Sequence, residues 1–319
     1  MERQKSWSKR WRLAGRLLLT LVAMQLLADG IYALVVGVAA ARWEASVTRD
    51  AAGVLLDCQA RTYPPQREGR PVGLLLVHGI NASPRHYDLI GPALAKEGVE
   101  CVAMRLPAFC EPLDRYRRST ADQWRAEIGD QLRTLRGRHE RVGVVAHSLG
   151  AAATLAALRD NPAAADFAVL VTPAIAVSDA RSPLMSTRAW HELSQRVLVF
   201  SKTLWTPFAS DCQACEGEIP GQSPFTPTAV VDELFRLMDE NVARFADLQT
   251  PLTFILSETD AVVSTPAARE YFSKLPIEQK RLVSLDRCGH EALIDRQWNE
   301  VKKEILAEVD KFAAQMATP

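Results

Sequence analysis

The sequence lacks an excess of charge of either sign, since 38 basic residues balance 38 acidic residues among 319. Proteins that bind nucleic acid or another polyanion usually carry a basic surplus, so the composition gives no indication of such a partner. Internal repeats and low-complexity tracts are absent from the sequence as well. What remains is a globular chain, long enough to bury a large core in one or two domains.

The cysteines do not form a complete metal-binding pattern. Cys212 and Cys215 have the spacing of a zinc-binding pair, but no second pair lies nearby, and a structural zinc needs four ligands. We therefore expect no metal site and no cofactor. If the domain is exported, the even number of cysteines predicts disulfides instead, with Cys101 and Cys110 as a local pair and Cys212 with Cys215 closing a small loop. In the cytoplasm the same residues would be free thiols.

A long apolar segment lies near the start of the chain. Leu17–Leu27 and Ile31–Ala41 are almost wholly apolar, and together they exceed the roughly 20 residues that span a bilayer. Six basic residues precede Leu17 and would stay in the cytoplasm. We predict that residues 1–45 form a basic N-terminus with a single-pass inner-membrane anchor, and that residues 46–319 form a folded domain outside the cytoplasm.

Two alternatives to an uncleaved anchor remain open at this point. A cleaved signal peptide is the first, because Ala39-Ala40-Ala41 has the small residues of a cleavage site, although the apolar region of a signal peptide is normally only about 7–15 residues long. A buried or interfacial helix is the second. Asp29 argues against a spanning helix, because a charge in mid-membrane costs roughly 2.5–3.5 kcal/mol.

Apolar runs of strand character alternate with helical patterns along most of the chain. This alternation predicts a mostly parallel sheet with helices on both faces. It breaks between Thr172 and Leu248, and we interpret residues 173–248, called the insert below, as a helical cap. Its aromatic side chains are expected to line a pocket for an acyl chain; they are Trp190, Trp205, Phe208 and Phe225. The predicted strands are Gly53–Cys58, Val72–Val77, Val99–Leu106, Val142–Ala146, Phe167–Val171, Leu252–Leu256 and Arg281–Leu285.

The strongest motif is a serine between a predicted strand and a predicted helix. Ala146, Ser148 and Gly150 form the pattern small-x-Ser-x-Gly of a nucleophile elbow, with alanine in the first place where glycine is usual. A serine on so sharp a turn needs small neighbours, because larger side chains would meet nearby backbone. We predict Ser148 as the nucleophile.

An acid and a histidine follow later strands in the order that a serine hydrolase of this kind requires. A serine hydroxyl needs a base to take its proton and a third group to orient that base. Asp260 comes shortly after Leu252–Leu256, and His290 comes after Arg281–Leu285. We predict His290 as the general base and Asp260 as its orienting acid. Glu258 is the second candidate for the acid and Asp286 a distant third.

An oxyanion hole is expected beside the serine. The main-chain N–H of Ile80, after the His78-Gly79 turn, is one predicted donor, and that of Leu149 is the other. His78 and His147 are also histidines in the right region. We expect both to hold loop backbone in place instead of acting as the base.

Four segments together resemble the α/β-hydrolase superfamily: His78-Gly79, Ala146–Gly150, Asp260–Val263 and Gly289-His290. The resemblance is nearest to capped bacterial carboxylesterases, monoglyceride lipases and serine-aminopeptidase-like hydrolases, and it covers roughly Val72 to Lys311. It implies an α/β-hydrolase fold and an acyl-enzyme mechanism. The sequence departs from that branch after Leu106-Pro107, where Gly-His-Gly is usual and Ala108-Phe109-Cys110 stands here.

The sequence as a whole predicts a membrane-anchored serine hydrolase that cleaves carboxylic esters with medium-chain or lipid-like acyl groups. A peptidase or an acyltransferase on the same triad is the alternative among enzymes. Glu216 and Glu218 of the insert are the candidates for gripping a peptide amine. A hydrolase-fold module that only binds a partner is the alternative from a different class. The oligomeric state is not indicated by any pattern.

Overall fold

The structure is a computed structural model that describes residues 2–206, 211–215 and 223–315. Nine strands and nine α-helices alternate along these parts of the chain. The strands are β1 Arg61–Tyr63, β2 Val72–Val77, β3 Glu100–Met104, β4 Arg141–His147, β5 Phe167–Val171, β6 Thr203–Trp205, β7 Phe225–Pro227, β8 Leu252–Ser257 and β9 Lys280–Leu285. The helices are α1 Glu2–Ser46, α2 Ile90–Lys96, α3 Leu113–Tyr116, α4 Ala121–Arg136, α5 Leu149–Asp160, α6 Thr187–Val197, α7 Thr228–Ala243, α8 Thr265–Lys274 and α9 Trp298–Ala314.

Seven strands form one sheet in the order β1-β3-β2-β4-β5-β8-β9. Only β1 runs antiparallel to its neighbour, and the other pairs are parallel. The inner strands β2, β4, β5 and β8 are buried along nearly their whole length, as expected where helices cover both faces. The predicted α/β-hydrolase architecture is therefore confirmed.

Two apolar cores lie on opposite faces of this sheet. On one face α4, α5 and α7 pack around Trp124, Leu155 and Leu237, which are fully buried. On the other face α2 and α9 pack around Ile90 and Ile305. Both cores end near the carboxyl edge of the parallel strands, and the connections that leave this edge carry the predicted site residues.

The strand predicted at Gly53–Cys58 is wrong. The Asp50 carboxylate accepts hydrogen bonds from the N–H groups of Ala52 and Val54, at 2.9 Å each, and so folds the segment into turns. A single bridge between Arg49 and Leu55 is its only strand-like pairing within the described residues.

One cysteine pairing is confirmed and the other is wrong. Cys212 and Cys215 form a disulfide, as expected. Cys101 and Cys110 do not, because the side chain of Cys101 on β3 packs into the core beside α2, whereas Cys110 packs against the opposite core. Cys110 lies next to Cys58 instead, and their two thiols share a hydrogen bond.

The first helix is long and apolar enough to cross a membrane. Residues Trp11–Ser46 have a mean hydropathy of 1.9 in their most apolar window, and only 11% of that window is buried. Leu17, Leu18 and Leu19 are each more than half exposed. The C-terminal half of α1 is partly covered, since Val36 and Ala40 pack against Phe225 of the insert.

Asp29, the charge that interrupts the apolar run, is buried against the insert. Its carboxylate accepts hydrogen bonds from the N–H groups of Val199 at 2.6 Å, Phe200 at 2.8 Å and Ser201 at 3.1 Å, and from the Ser201 hydroxyl. Backbone donors in an apolar environment need such acceptors, and a buried carboxylate needs such donors. The residue that seemed to oppose a membrane helix thus fastens α1 to the insert.

The insert lies between β5 and β8 and contains α6, β6, β7 and α7. Two of the aromatic residues predicted to line an acyl pocket serve elsewhere, because Phe225 packs on Trp43 of α1 and stacks with Trp205. Phe208 lies outside the described residues. Trp190 is 37% exposed, and its indole N–H donates to the carbonyl of Pro183.

Candidate active site

Ser148 occupies the sharp turn between β4 and α5. Its backbone has φ 53° and ψ −120°, a left-handed conformation that a residue with a Cβ adopts only under constraint, at a cost of about 1–3 kcal/mol. Two residues on, a Cβ at Gly150 would lie 2.4 Å from the carbonyl oxygen of His78 and 2.7 Å from that of Val77. Glycine is therefore required at this position, whereas Ala146 fits into the core in the place where glycine is usual.

Ser148, His290 and Asp260 form a chain of two hydrogen bonds. The Ser148 hydroxyl lies 2.9 Å from His290 Nε2, and His290 Nδ1 lies 2.8 Å from Asp260 Oδ2. A carboxylate only accepts, so Nδ1 carries the proton and Nε2 of the neutral ring accepts from the serine. All three side chains are buried.

The other two acid candidates lie away from this chain. Glu258 is 41% exposed and pairs with Arg269, and Asp286 is 77% exposed. Asp260 is held where it is by its own loop, because its Oδ1 accepts the N–H groups of Val262 and Val263 at 2.8 Å each. Of the three carboxylates, Asp260 is thus the one that the structure brings to His290.

The backbone of His290 is fixed by neighbours from two strands. Its carbonyl oxygen accepts hydrogen bonds from Nε2 of His147, which ends β4, and from Oγ1 of Thr172, which follows β5, both at 3.0 Å. The imidazole is therefore held from its main chain as well as through Asp260. Burial keeps the pKa of His147 well below its usual value, so this ring is neutral and serves as a hydrogen-bond donor.

The environment of His290 favours its charged form. Burial alone would lower the pKa of this imidazole, but the charge of Asp260 and the hydrogen bond to it outweigh burial, and the charges of Glu291 and Asp211 add to them. The net result is a raised pKa. An imidazole with a raised pKa takes up a proton more readily, which is the property that a general base beside a serine requires.

The two residues predicted to supply oxyanion donors, Ile80 and Leu149, are both close to the serine. Leu149 begins α5, and the N–H groups of a helix's first turn have no partner within the helix. Ile80 follows Gly79, where a Cβ would lie 3.1 Å from the Cβ of Ser148. The turn that contains Ile80 therefore passes directly beside the serine side chain.

The His78 side chain holds this turn through two hydrogen bonds. Its Nε2 accepts the N–H of Leu106 at 3.1 Å, and its Nδ1 donates to the carbonyl of Gly79 at 2.9 Å. Burial lowers the pKa of His78 to about 3, so the ring stays neutral. His78 and His147 thus hold loop backbone, as predicted.

One group of buried side chains behind the triad has the composition of a metal site. The ligand atoms of His86, His147 and Glu291 all lie within 4.8 Å of one another. His86 Nε2 lies 3.1 Å from a Glu291 oxygen. Burial would raise the pKa of Glu291, but the neighbouring histidines, led by His86, lower it to about 2. We interpret the group as a polar network that supports the loop of His290.

The family of the chain follows from comparison with known proteins. Residues 72–297 match the family model described as serine aminopeptidase, S33. The chain belongs to the serine aminopeptidase S33 family. As a member of this family it is an α/β-hydrolase enzyme of the lipase and esterase type. It is 27% identical over 232 residues to a thermostable monoacylglycerol lipase of Bacillus sp. (strain H-257), which covers 73% of this chain and 88% of that protein.

Solved structures of α/β-hydrolases have the same fold as this S33 member. A metagenome-derived lipolytic enzyme from the study of LipS and LipT aligns with a TM-score of 0.67 at 22% identity, over 81% of this chain and 99% of that one. The monoacylglycerol lipase of Paleococcus ferrophilus aligns at 0.65 and 16% identity, over 80% and 98%. A soluble variant of monoglyceride lipase from Saccharomyces cerevisiae aligns at 0.66 and 13% identity, over 79% and 91%.

Two residues near the site were not given a role from the sequence. In the sequence nothing distinguishes Glu291 except that it follows His290. Its partner His86 lies about 200 positions earlier in the chain. Asp211 belongs to the insert, where no motif marks it, yet its carboxylate accepts the N–H of His290. A sequence offers no local pattern for contacts of this kind.

The close packing at Gly150 leads to a testable prediction. Gly150→Ala places a methyl group against two carbonyl oxygens that cannot withdraw, so we expect a loss of about 1–3 kcal/mol in the free energy of unfolding. Thermal unfolding of the purified protein measures this loss. Gly129→Ala is the matched control, because that position on α4 is open and alanine favours a helix. Equal melting temperatures for Gly150→Ala and Gly129→Ala would contradict the packing argument.

Proposed function

We propose that this S33 member is a membrane-anchored serine hydrolase that cleaves carboxylic esters through a triad of Ser148, His290 and Asp260. The observation that carries the proposal is the buried chain of two hydrogen bonds that joins these side chains. Family membership supports the class of reaction, and the similarity to a monoacylglycerol lipase supports an ester as substrate.

Each triad residue has a defined task in this proposal. His290 takes the proton of Ser148 as its Oγ attacks the ester carbonyl, and the N–H groups of Ile80 and Leu149 stabilise the negative oxygen that develops. His290 then gives its proton to the departing alcohol. Water hydrolyses the acyl-enzyme by the same steps in reverse order, and Asp260 stabilises the imidazolium throughout.

Substitution of the triad tests these roles. Ser148→Ala and His290→Ala are expected to lower kcat for a p-nitrophenyl ester by about four to six orders of magnitude, because triad members act as a unit. Asp260→Asn is expected to lower it by about four orders of magnitude. Glu258→Gln is the matched control, and it should leave kcat within about twofold of the wild type. If Glu258→Gln is inactive while Asp260→Asn stays active, the orienting acid is Glu258 and not Asp260.

The pH dependence of the same reaction reports on His290. The base works only when its ring is neutral, so kcat/KM should fall as the pH drops through the raised pKa of His290. The midpoint of this acid limb is therefore expected above about 6.5, the usual value for histidine. Residual turnover by Asp260→Asn should show the limb at lower pH, because the charge that favours the imidazolium is gone.

We assign the acyl chain to a cavity of about 370 Å³ lined by residues of the insert. Ile175, Phe235, Met238 and Val242 contribute its apolar walls. The wall formed by Ile175 continues directly from Ala174, whose N–H bonds the carbonyl oxygen of Ser148. We infer that an acyl chain on the Ser148 hydroxyl follows Ala174 and Ile175 into this cavity, although no triad side chain is among the described residues that line it.

The acyl assignment predicts a dependence on chain length. Each buried methylene contributes about 0.8 kcal/mol, so kcat/KM should rise by up to about fourfold per added CH₂ from acetate toward octanoate. Val242→Trp is expected to shorten the preferred chain by filling the cavity. Val199→Trp is the control, because Val199 is an exposed residue of the insert outside the cavity. A flat profile, or one that Val242→Trp leaves unchanged, would contradict the assignment.

A peptidase or an acyltransferase on the same triad is separated from an esterase by its substrates. A peptidase needs a carboxylate that grips the substrate amine, and the two candidates, Glu216 and Glu218, lie outside the described residues. Aminoacyl p-nitroanilides in the same assay would be preferred over esters by a peptidase. An acyltransferase would pass the acyl group to an added alcohol faster than to water. Equal loss of activity on both substrates in Ser148→Ala would tie either reaction to the same serine.

We also propose that α1 anchors the enzyme in the membrane with the hydrolase domain outside the cytoplasm. Two observations support an anchor: the apolar length of α1 and its exposed leucines. A reporter that is active only outside the cytoplasm, fused after Pro319, should be active with the full chain. It should be inactive when residues 2–41 are deleted, and carbonate should extract only the deleted form. Reporter activity confined to the cytoplasm would overturn this orientation.

A further inference from the structure

The loop after Asp260 and the loop that carries His290 both donate hydrogen bonds to one carboxylate of the insert, that of Asp211. Asp211 Oδ2 accepts the N–H of Ala261 at 2.9 Å and the N–H of His290 at 3.2 Å. Ala261 directly follows Asp260, so the two donors belong to the orienting acid's loop and to the base itself. The Asp211 side chain is only 13% exposed, and hydrogen bonds to a charged acceptor in such a place are strong.

The main chain of Asp211 also contacts residues 286–291, which follow β9, carry His290 and are called the base loop below. Its carbonyl oxygen accepts the N–H of Glu291 at 3.2 Å. A Cβ at Gly289 would lie 2.2 Å from this same oxygen, so only glycine permits the approach. The loop that carries His290 is thus packed directly onto Asp211 on both sides of the histidine.

Residues 211–215, called the strap below, are themselves held in place. The disulfide between Cys212 and Cys215 closes the strap. Asp295 accepts the N–H groups of Gln213 and Ala214 at 2.8 Å each, and its Oδ2 also accepts the N–H of Gly289 at 2.7 Å. The Asp295 carboxylate therefore accepts hydrogen bonds from both the strap and the base loop.

We infer that Asp211 is a positioning residue, which fixes the loops of Asp260 and His290 relative to each other and is itself held by the disulfide-closed strap. This inference rests on the proposed function, because it assigns a task within the triad. It gives the insert a second role, since one of its loops completes the support of the catalytic side chains. Nothing in the family resemblance or the motifs assigns Asp211 such a task.

The charge of Asp211 acts on His290 in the same sense as that of Asp260. Burial opposes the imidazolium, while Asp260, Glu291 and Asp211 favour it, and the neighbouring His147 ring is neutral. Arg181 pairs with the other oxygen of Asp211 and tempers its charge. Loss of Asp211 should therefore lower the pKa of His290 as well as loosen its loop.

Asp211→Ala and Asp211→Asn test this inference in the full-length enzyme. Alanine removes both hydrogen bonds and the charge, and we expect kcat for a p-nitrophenyl ester to fall by about 10- to 100-fold, with KM changed by less than about threefold. Asparagine keeps an acceptor and should lose less. The acid limb of kcat/KM should move to lower pH in both. Asp286→Ala is the matched control, because Asp286 is on the base loop but exposed.

The strap is tested by Cys212→Ser together with Cys215→Ser, and by that pair combined with Asp211→Ala. If the disulfide acts by holding Asp211, the combined variant should lose less than the product of the two separate losses. Each variant is compared by thermal unfolding, and Asp211→Asn serves where alanine prevents folding.

The outcomes distinguish a failure of the proposed function from a failure of the inference about Asp211. If the wild type hydrolyses no ester and Ser148→Ala changes nothing, the proposed function fails. If the wild type is active and Asp211→Ala matches Asp286→Ala in kcat and in its acid limb, only the inference about Asp211 fails. A loss of kcat that is paralleled by a lower melting temperature, with the acid limb unmoved, would also overturn it, because that result describes general destabilisation. If the losses of kcat multiply fully in the combined variant, the disulfide does not act by holding Asp211, and that part of the inference is wrong.

Discussion

The structure depends on a strained serine at the point where a strand becomes a helix. The backbone of Ser148 has a positive φ. Hydrogen bonds from its N–H to the carbonyl of Val171 and from the N–H of Ala174 to its own carbonyl hold it in this conformation. Gly150 admits the carbonyls of Val77 and His78 to the first turn of α5, which brings the Ile80 turn beside the serine. In our proposal the oxyanion donors, the nucleophile and the base are thus assembled around this one junction of the seven-stranded sheet.

The insert is joined to two different parts of the molecule through aspartates. Asp29 of α1 receives the N–H groups of residues 199–201, and Asp211 of the insert receives those of Ala261 and His290. Each carboxylate satisfies backbone donors of a loop that has no partner strand, which is the usual requirement for irregular backbone away from water. In our account these contacts place the insert between an anchor in the membrane and the support of the triad.

Much of the fold and of the candidate site was predictable because its determinants are local. The strand that ends at His147, the small residues around Ser148 and the helix after it lie within about twenty positions. Asp260 and His290 each follow a strand at the edge where parallel strands end, so their order along the chain was enough to select them. Glu258 lies only two residues from Asp260, yet it faces outward and pairs with Arg269, a distinction that the sequence alone did not make certain.

The contacts that escaped prediction join distant segments. Asp29 meets residues about 170 positions later, and Asp211 meets His290 across 79 positions, and no motif marks either aspartate. Cys101 and Cys110 are close in sequence, but strand alternation turns Cys101 toward one core while Cys110 packs against the other. The aromatic residues of the insert suggested a pocket by composition, whereas packing assigns Phe225 and Trp205 to the contact with α1.

Covalent labelling tests the central claim most directly, since it reports an activated serine without presuming a substrate. A fluorophosphonate reacts with a serine only when a neighbouring base removes its proton, and mass mapping of the labelled peptides identifies the residue. We predict one adduct per chain, on Ser148, which disappears in Ser148→Ala and in His290→Ala. Labelling of another serine, or full labelling of Ser148 in His290→Ala, would contradict it.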